Sequence, residues 1–526
     1  WQRQMCIRDR GYVDEGKPVL LVDAGDHIQG TAYGSMDDGA TIIELMNEAG
    51  YDIATLGNHE FDYGMARAKA IIKEADFPYV SCNWVDLRTG LRVLPAVKLF
   101  PAGGKWIAFV GITTPESFTK STPAYFMNAK QTKYIYDILG GDDGRKLYDA
   151  VQKAIDKAKT LGADIIIGLG HLGVDPSSSP WTSEEVIANT TGFDAFIDGH
   201  SHTVMENKQV YDAAGKAVTL TQTGSYLANV GKMTIAEDGA ITTELISTAD
   251  VSDAAVAATA EAWINDVDAM LGEQIATTDI KFYINDPAAG KRRIRMGETN
   301  LGDFVADGIY TYFNEIEELH CDIAIMNGGG IRTDVEAGPW SFKTCKTVSP
   351  FGNVACLMSV TGQQIQDALE FGARFAGAEG KENGGFLQVA GARYTIHPMI
   401  PNTVQTNDKN VWTGSAATPR VSNVEIYDKT TGTYQPLDPN ATYALAGMNY
   451  TLRNLGDGFA MFDGAELIKD YVSEDYLVMS TYAMIFDGAD AAGLPHLSSA
   501  NSPLAAYPGY LLNYEQPYGA GRITIL

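Results

Sequence analysis

The chain has 526 residues, of which 45% are hydrophobic and 20% are charged, and its formal net charge at pH 7 is −27. Its length exceeds one ordinary domain of roughly 150 residues, and this composition argues against a disordered chain. The negative charge argues against nucleic-acid polymers as partners, so a phosphorylated ligand would have to be held locally by metals, arginines or backbone amides. No apolar run approaches the roughly 18–20 residues that a transmembrane segment needs.

The first half of the chain alternates short apolar runs with amphipathic stretches. Residues 1–10, WQRQMCIRDR, are unlike a natural beginning, and we interpret them as a non-native leader. From residue 11 to 246 the predicted strands are 19–22, 53–56, 106–112, 165–169 and 195–197, and the predicted helices are 41–49, 65–75 and 146–161. This βαβ rhythm predicts an α/β domain.

Polar motifs directly follow four of these apolar runs: LVDAGD, LGNHEFD, GLGHLG and DGHSH. Their side chains should therefore gather at the carboxyl ends of neighbouring strands, where open α/β sheets bind ligands. The candidate metal ligands are Asp26, Asn58, His171, His200 and His202. Taken alone, a Gly-Asp pair such as Gly25-Asp26 is more often an Asx turn or a helix cap than a metal site. His200 and His202 are expected to lie on one side of an extended segment.

This ligand set mixes nitrogen and oxygen atoms without thiolates, which favours Zn²⁺, Mn²⁺, Co²⁺ or Fe²⁺ over Ca²⁺. Paired ions about 3.5–4 Å apart would generate a hydroxide nucleophile and hold a phosphoryl oxygen. His59 lies beside Asn58 and could meet the substrate phosphate or the leaving oxygen, while Asp62 could orient its imidazole. These residues predict hydrolysis of a phosphoester.

The second half differs in pattern. An alanine-rich stretch within 247–280 predicts a linker helix, and 281–526 predicts a mixed α+β domain with a helix near 301–313 and strands at 322–326 and 421–427. Its glycine-rich and aromatic segments are METNLGDFVADG, NGGGIR, SPFGN, GGFLQVAG and NYTLRNLGDGF. Arg332, after three glycines, could offer a fork of donors to a phosphate.

The order of these motifs over residues 11–526 resembles the calcineurin-like metallophosphoesterases, and in particular their 5′-nucleotidase branch. This resemblance implies a four-layer β-sandwich flanked by helices, an α/β fold, followed by a mixed α+β nucleotide-binding domain. It also implies two divalent metal ions, with Asp26 bridging them, Asn58, His171 and His200 at the second ion, and His202 at the first. His59 and Asp62 correspond to the catalytic pair of the family.

The resemblance assigns substrate binding to the second domain. Phe351 and Tyr450 correspond to the two aromatic residues that sandwich the base, and Asp457 corresponds to the acid that binds the ribose hydroxyls. Arg332, Asn327 and Gly330 correspond to positions beside the phosphate or the base. Some relatives carry another phosphate-binding arginine where this chain has Asn300, and the nearby Arg293 and Arg295 are candidates to replace it.

The resemblance implies release of phosphate from nucleoside 5′-monophosphates. Cyclic 2′,3′-nucleotide hydrolysis and nucleotide-sugar hydrolysis are alternatives that the sequence does not separate. The family begins with an Asp-x-His strand, but the only such triplet here is Asp198-Gly199-His200, so the first metal site retains only Asp26 and His202. We therefore expect an N-terminally truncated chain, and a non-catalytic nucleotide-binding protein is the rival interpretation. An extracellular, cell-surface or periplasmic location is expected from the family alone.

Overall fold

The computed structural model describes residues 16–128, 130, 132–247, 253–377, 381–470, 472–490 and 492–526. The leader predicted at residues 1–10 lies outside these ranges. The chain divides into two compact units: the first comprises the described residues up to Gln29 and Met36–Asn265, and the second comprises Gly30–Ser35 and Asp266–Leu526. A helix at Ala254–Leu271 contains the point at which the first unit ends. None of the described helices is both long and apolar enough to cross a membrane.

Two sheets form the centre of the first unit. The smaller sheet is parallel and contains, in spatial order, Val22–Asp23, Ile53–Thr55 and Tyr79–Val80. The larger sheet has parallel central strands and antiparallel edge strands, in the order Val204–Tyr211, Ala217–Thr223, Ala195–Asp198, Ile165–His171, Lys105–Thr113 and Val97–Ala102. The strands predicted at 53–56, 106–112, 165–169 and 195–197 are thus confirmed to within two residues.

The two sheets pack face to face. Ile53 and Val80 of the smaller sheet share one apolar cluster with Ile107, Ile165 and Ile167 of the larger sheet. Because successive strand residues point to opposite faces, the other face of each sheet is left for helices. These outer helices are Ala40–Ala49 and Gly64–Glu74 on the smaller sheet and Arg145–Thr160 on the larger sheet. The result is the predicted four-layer arrangement.

The helix at Arg145–Thr160 shows why these layers form. Its buried residues recur at the spacing of one helical face and are Leu147, Ala150, Val151, Ala154, Ile155 and Ala158. They pack against the larger sheet. The remaining elements of the first unit are the strands Trp84–Asp86, Leu91–Arg92, Tyr136–Ile138, Asn229–Ile235 and Ile241–Ser247 and the short helices Ser117–Lys120 and Ser183–Ala188.

The second unit is built on a five-stranded mixed sheet, in the order Leu387–Ala390, Ile323–Asn327, Thr442–Met448, Ala355–Thr361 and Glu466–Lys469. Alternate residues of one strand enter two different cores: Ala324 and Met326 belong to one cluster, and Ile323 and Ile325 belong to the other. The helices that cover these faces include Asn300–Thr311, Phe342–Val348, Gly362–Gly372 and Asp475–Met484. The predicted mixed α+β class is therefore confirmed.

Smaller sheets complete the second unit. One contains Gly338–Ser341, Gln274–Thr278 and His496–Leu497, another contains Thr433–Pro436, Val421–Asp428, Ala392–Ile396 and Ile523–Ile525, and a third contains Gln405–Thr406 and Trp412–Gly414. Two four-residue helices, Ala32–Ser35 and Asn449–Leu452, also belong to this unit. The helix predicted near 301–313 ends at Thr311 and continues as a π-helical turn, Tyr312–Ile316.

Candidate functional site

The predicted metal ligands lie at the carboxyl ends of strands, but these strands belong to two sheets rather than one. Asp26 and Asn58 follow Val22–Asp23 and Ile53–Thr55 of the smaller sheet. His171 ends its strand in the larger sheet, and His200 follows the neighbouring strand Ala195–Asp198. The face-to-face packing of the sheets brings the two sets of loops together.

Asp26, His171 and His200 form a compact group whose possible ligand atoms all lie within 4.8 Å of one another. Nε2 of His171 is 2.8 Å from Oδ2 of Asp26, and Nδ1 of His171 donates a hydrogen bond to the backbone oxygen of Ala24. Burial lowers the pKa of His171, but the charge and hydrogen bond of Asp26, the charge of Glu60 and the hydrogen bond to Ala24 together raise it to about 9. The group therefore strongly attracts a positive charge.

Nε2 of His171 contacts Oδ2 of Asp26 at 2.8 Å, whereas Oδ1 of Asn58, which is also buried, makes no hydrogen bond to any described residue. Such atoms are rare in folded proteins, because leaving one unpaired costs about 1–3 kcal/mol. The side chain of Asn58 is also 2% exposed, so bulk water does not compensate. Since the Nδ1 proton of His171 is committed to Ala24, its Nε2 carries the lone pair in the neutral ring. These donors fit a divalent cation.

The backbone at three predicted ligands is left-handed: φ is 64° at Asp26, 76° at His200 and 57° at His202. The expectation that His200 and His202 lie on one side of an extended segment is therefore wrong, because a left-handed residue turns the chain. His202 is not in the compact group formed by the described ligands Asp26, His171 and His200. Non-glycine residues in this region cost about 1–3 kcal/mol each and cluster at functional sites.

Glu60 holds the two ligand loops of the smaller sheet together, a role that the sequence analysis missed. Its fully buried carboxylate accepts backbone hydrogen bonds from Asp26 (2.9 Å), His27 (2.9 Å) and Gly57 (2.6 Å). Gly57 is required at this point, because a Cβ atom there would lie 2.1 Å from Oδ1 of Asp26. The same Oδ1 accepts the backbone N–H of His59 at 2.8 Å.

His27 lies next to Asp26 but its side chain turns away from the metal ligands. Nδ1 of His27 is 2.9 Å from Oδ1 of Asp23, and Nε2 is 2.8 Å from the hydroxyl of Tyr79. These two contacts of His27 therefore stabilise the buried loop.

His59 and Asp62 form the predicted pair. His59 begins the turn His59–Phe61, and Asp62 directly follows this turn. Nδ1 of His59 is 2.6 Å from Oδ2 of Asp62. Burial raises the pKa of Asp62, while the neighbouring charge of His59 opposes this shift. With Nδ1 directed at the carboxylate, Nε2 is the atom of His59 that is available to a substrate.

Glu116 is a second residue that the sequence analysis missed. Its buried Oε2 lies 2.8 Å from Nε2 of His200 and accepts a hydrogen bond from the hydroxyl of Ser178 at 2.6 Å. Burial raises the pKa of Glu116, but the hydrogen bond and charge of His200, the charge of Lys120 and the hydrogen bond from Ser178 together lower it to about 2. A proton on Nε2 of His200 would satisfy the ionised carboxylate, and Nδ1 would then be the nitrogen of His200 able to bind a metal ion. Glu116 follows the strand Lys105–Thr113, so the position rule that located His171 could have found it.

The predicted substrate-binding residues of the second unit gather at one end of its five-stranded sheet. Asn327 ends its strand and pairs with Leu387, the first residue of the antiparallel neighbour. The strand Thr442–Met448 runs parallel to that of Asn327, so the segment that carries Tyr450 and Asp457 leaves the sheet at the same end. Gly330 ends the buried turn Gly328–Gly330 that follows Asn327.

Arg332 and Phe351 lie together, with the guanidinium carbon 5.5 Å from the centre of the ring. Nε of Arg332 is buried and has no hydrogen-bond partner among the described residues. Arg295 lies close enough to Arg332 for mutual repulsion: burial and the charges of Arg292 and Arg332 lower the pKa of Arg295 to about 9. This end of the sheet therefore carries an excess of positive charge suited to an anion.

Asn300, which stands where some relatives carry an arginine, and the candidate Arg293 both bind elsewhere in the second unit. The buried side chain of Asn300 binds the backbone of Lys281, Tyr283 and Tyr514. Nε of Arg293 donates to the backbone oxygen of Glu298. Arg295 is therefore the candidate that lies beside Arg332.

Asp457 is buried, and its Oδ2 accepts a hydrogen bond from the side-chain amide of Asn327 at 3.0 Å. The hydroxyl of Tyr450 accepts the backbone N–H of Asp457 at 3.1 Å. The ring of Tyr450 also lies against Gly456, where a Cβ atom would come within 2.5 Å of it. Tyr450 and Phe351 are both half-buried, so part of each ring remains available for stacking.

Comparisons with known proteins agree with both halves of this arrangement. The family described as calcineurin-like phosphoesterase matches residues 5–204, and the family described as 5′-nucleotidase, C-terminal domain matches residues 274–464. The chain is 28% identical to the human 5′-nucleotidase over 501 residues, which cover 88% of this chain and 79% of the relative. It is also 28% identical over 506 residues to the trifunctional nucleotide phosphoesterase protein YfkN of Bacillus subtilis, covering 88% of this chain and 31% of that protein.

Among solved structures, the chain is similar to a 5′-nucleotidase precursor from Thermus thermophilus, with a TM-score of 0.78 and 25% identity. That similarity covers 100% of this chain and 93% of the other. Both units of the fold thus agree with the order of these two matched families along the chain. The chain belongs to the 5′-nucleotidase family of calcineurin-like phosphoesterases and is a metal-dependent hydrolase of phosphoric esters.

Proposed function

We propose that this hydrolase releases phosphate from nucleoside 5′-monophosphates. The main support for the proposal is the group of side chains at one end of the five-stranded sheet in the second unit. There Asp457, Asn327 and Arg332 offer an acid, an amide and a guanidinium beside the half-buried ring of Phe351. The human and Thermus relatives are both named 5′-nucleotidases.

Each group suits one part of a nucleotide. The ring faces of Phe351 and Tyr450 can stack on a base, which contributes about 1–3 kcal/mol per base. The carboxylate of Asp457 can accept hydrogen bonds from the ribose hydroxyls. Arg332 and Arg295 can donate hydrogen bonds to a phosphate oxygen. Such a ligand would give Nε of Arg332, which has no partner among the described residues, an acceptor.

We further propose two divalent ions in the first unit, held by Asp26, Asn58, His171, His200 and His202. The nitrogen and oxygen donors favour zinc, manganese, cobalt or iron. When bound, such ions supply a Lewis acid for the phosphoryl oxygens and lower the pKa of a bound water. Glu60 fixes the loops that carry Asp26 and Asn58, and Glu116 fixes the ring of His200.

His59 acts on the substrate in this proposal. Its Nδ1 is held by Asp62, so its Nε2 can donate a hydrogen bond to the leaving 5′-oxygen or to a phosphoryl oxygen as negative charge develops. Asp62 stabilises the protonated imidazole, in the same way that a buried carboxylate supports a catalytic histidine in other hydrolases.

A substrate panel tests the proposed function. The purified chain would be assayed with added Mn²⁺ or Zn²⁺ against AMP, 2′,3′-cyclic AMP, UDP-glucose and p-nitrophenyl phosphate. The proposal expects the highest kcat/KM for AMP. A higher value for cyclic AMP or UDP-glucose would contradict it, and equal values for AMP and p-nitrophenyl phosphate would show that the nucleoside is not recognised.

Asp457→Asn should raise KM for AMP by about 10-fold or more, since a hydrogen bond to a charged group is worth about 1.5–3 kcal/mol. Asparagine tolerates the left-handed backbone of Asp457, where φ is 51°, and removes only the charge. Steady-state kinetics with AMP would measure the change. Hydrolysis of p-nitrophenyl phosphate, which has no ribose, should be unaffected; an equal loss with both substrates would contradict a role in ribose binding.

Glu116→Ala should weaken metal binding by about 10- to 100-fold, the effect found when a partner of a metal-bound histidine is removed. Without the carboxylate, nothing selects the proton on Nε2 of His200. Metal titration followed by calorimetry would measure the affinity, and Glu116→Gln, which keeps an acceptor, should lose less. Glu185→Gln provides a control, because Glu185 caps the helix Ser183–Ala188 in the same unit. An unchanged affinity in a folded Glu116→Ala variant would contradict this role.

A further inference from the structure

Glu382 is an acidic residue within the arginine cluster of the second unit. Its Oε2 lies 2.7 Å from Nε of Arg292 and 3.9 Å from Nη1 of Arg295. Arg295 is also close enough to Arg332 and Asp457 to sense their charges. The arginine cluster, Arg292, Arg295 and Arg332, thus lies near both Glu382 and Asp457. The carboxylate of Asp457 also accepts a hydrogen bond from Asn327.

The segment after Glu382 is built into the same end of the sheet. The backbone N–H of Asn383 donates to the carbonyl of Arg295 at 3.1 Å, and that of Gly329 donates to the carbonyl of Gly384 at 2.7 Å. Gly385 lies against Asp457, since a Cβ atom at Gly385 would be 3.1 Å from Cβ of Asp457. Glu382 is therefore followed directly by residues that contact Gly329, Asp457 and Arg295 of the candidate nucleotide site.

Resting on the proposed function, we infer that Glu382 is a specificity-determining residue that matches the arginine cluster to a nucleotide with one phosphate group rather than two. Its ion pair with Arg292 offsets one of the three positive charges. Asp457 offsets a second positive charge, so the cluster carries a net charge of about +1, which is smaller in magnitude than the charge of a phosphate monoester at neutral pH. Among the described residues of this cluster there is no further positive charge for an additional phosphate group.

The charge dependence separates this role from a purely structural one. Removing the charge of Glu382 makes the cluster more positive by one unit, and the resulting change in affinity grows with the charge of the ligand. A neutral nucleoside should not sense it. A structural defect in the loop would instead weaken nucleosides and nucleotides alike, because the loop also touches Asp457.

Binding of adenosine, AMP and ADP to the full chain tests the inference. Calorimetry would be carried out with a chelator, so that no ligand is hydrolysed. In Glu382→Gln we expect about 3-fold tighter binding of AMP, about 10-fold tighter binding of ADP and unchanged binding of adenosine, with smaller gains at high salt. Adding Arg292→Gln to this variant restores the net charge and should restore the original preference.

Glu425→Gln is a matched control, because Glu425 pairs with Arg393 on another sheet of the same unit. Equal changes for all three ligands in Glu382→Gln, or no change for any, would overturn the inference. If the wild-type chain binds AMP and ADP but Glu382→Gln does not change the preference between them, the proposed function survives and the inference fails. If the wild-type chain binds none of the three ligands, the proposed function fails as well.

Discussion

Replacing His59 with alanine should lower kcat for AMP by about 10²- to 10⁴-fold, the usual contribution of a positioned acid or base. The loss is expected because, in the proposed mechanism, Nε2 of His59 donates a hydrogen bond to the leaving oxygen. KM should change less than kcat, since the interaction strengthens as charge develops in the transition state. Steady-state kinetics with AMP at saturating metal would measure both constants.

The metal content of the His59→Ala variant separates this effect from a damaged metal site. It should equal that of the wild-type protein, because His59 contributes its backbone N–H, not its side chain, to Asp26. Asp62→Asn should give a smaller loss of kcat, because it keeps the ring of His59 but not the negative charge beside it. His397→Ala is a control in the second unit, where His397 contacts Ser422. An unchanged kcat in His59→Ala would exclude the proposed role.

Asp26→Asn should reduce metal affinity by at least about 10²-fold, since even a residue that only orients a ligand is worth 10- to 100-fold. Asparagine is nearly isosteric, tolerates the φ of 64° and can still accept the backbone N–H of His59. The variant therefore removes mainly the charge that attracts the cation. Elemental analysis after desalting would measure the bound metal, and activity would be followed as metal is added back.

Asp38→Asn is the matched control for this experiment. Asp38 is also an aspartate with a left-handed backbone in the first unit, with φ at 53°, but it is exposed and outside the metal group. It should retain metal content and activity. If Asp26→Asn retained the full metal content after desalting, Asp26 would not be a metal ligand, and the assignment of the whole group would have to change.

Much of the fold could be predicted because burial leaves a pattern in the sequence. The helix Arg145–Thr160 shows the apolar spacing of one face, and the run at 165–169 is apolar throughout because its strand is covered on both sides. The strand predicted at 19–22 is instead only Val22–Asp23. This strand lies at the edge of the smaller sheet, where hydrogen bonds to a neighbouring strand on one side alone constrain its length less.

The division of the strands between two sheets could not be predicted in the same way. An apolar run reports that a strand is buried, but it does not report which strand lies beside it. Ile53 and Ile165 look alike in the sequence and belong to different sheets. The hairpin of Asn229–Ile235 and Ile241–Ser247 was not predicted either, because its residues are mostly half-buried or exposed and carry little apolar pattern.

The site shows a similar limit. Asp26, His171 and His200 could be selected from their positions after strands, and the structure brings them together. Glu60 acts through hydrogen bonds between segments far apart in the chain, and no local spacing marks that role. Glu116 follows a strand and could have been found from that position, whereas the sequence did not distinguish Arg295 from Arg293. The assignments of His202, Tyr450 and Asp457 stay predictions until their variants are measured.

The left-handed backbone at Asp26, His200 and His202 limits how this candidate metal site can change during evolution or design. Aspartate, asparagine, histidine and glycine adopt this conformation most readily, whereas β-branched and bulky residues do so at a cost. The accessible replacements that still bind metal are therefore oxygen and nitrogen ligands. An attempt to convert the site into a thiolate site for softer metals would have to rebuild the loops first, so the main chain itself restricts which metals this protein can come to use.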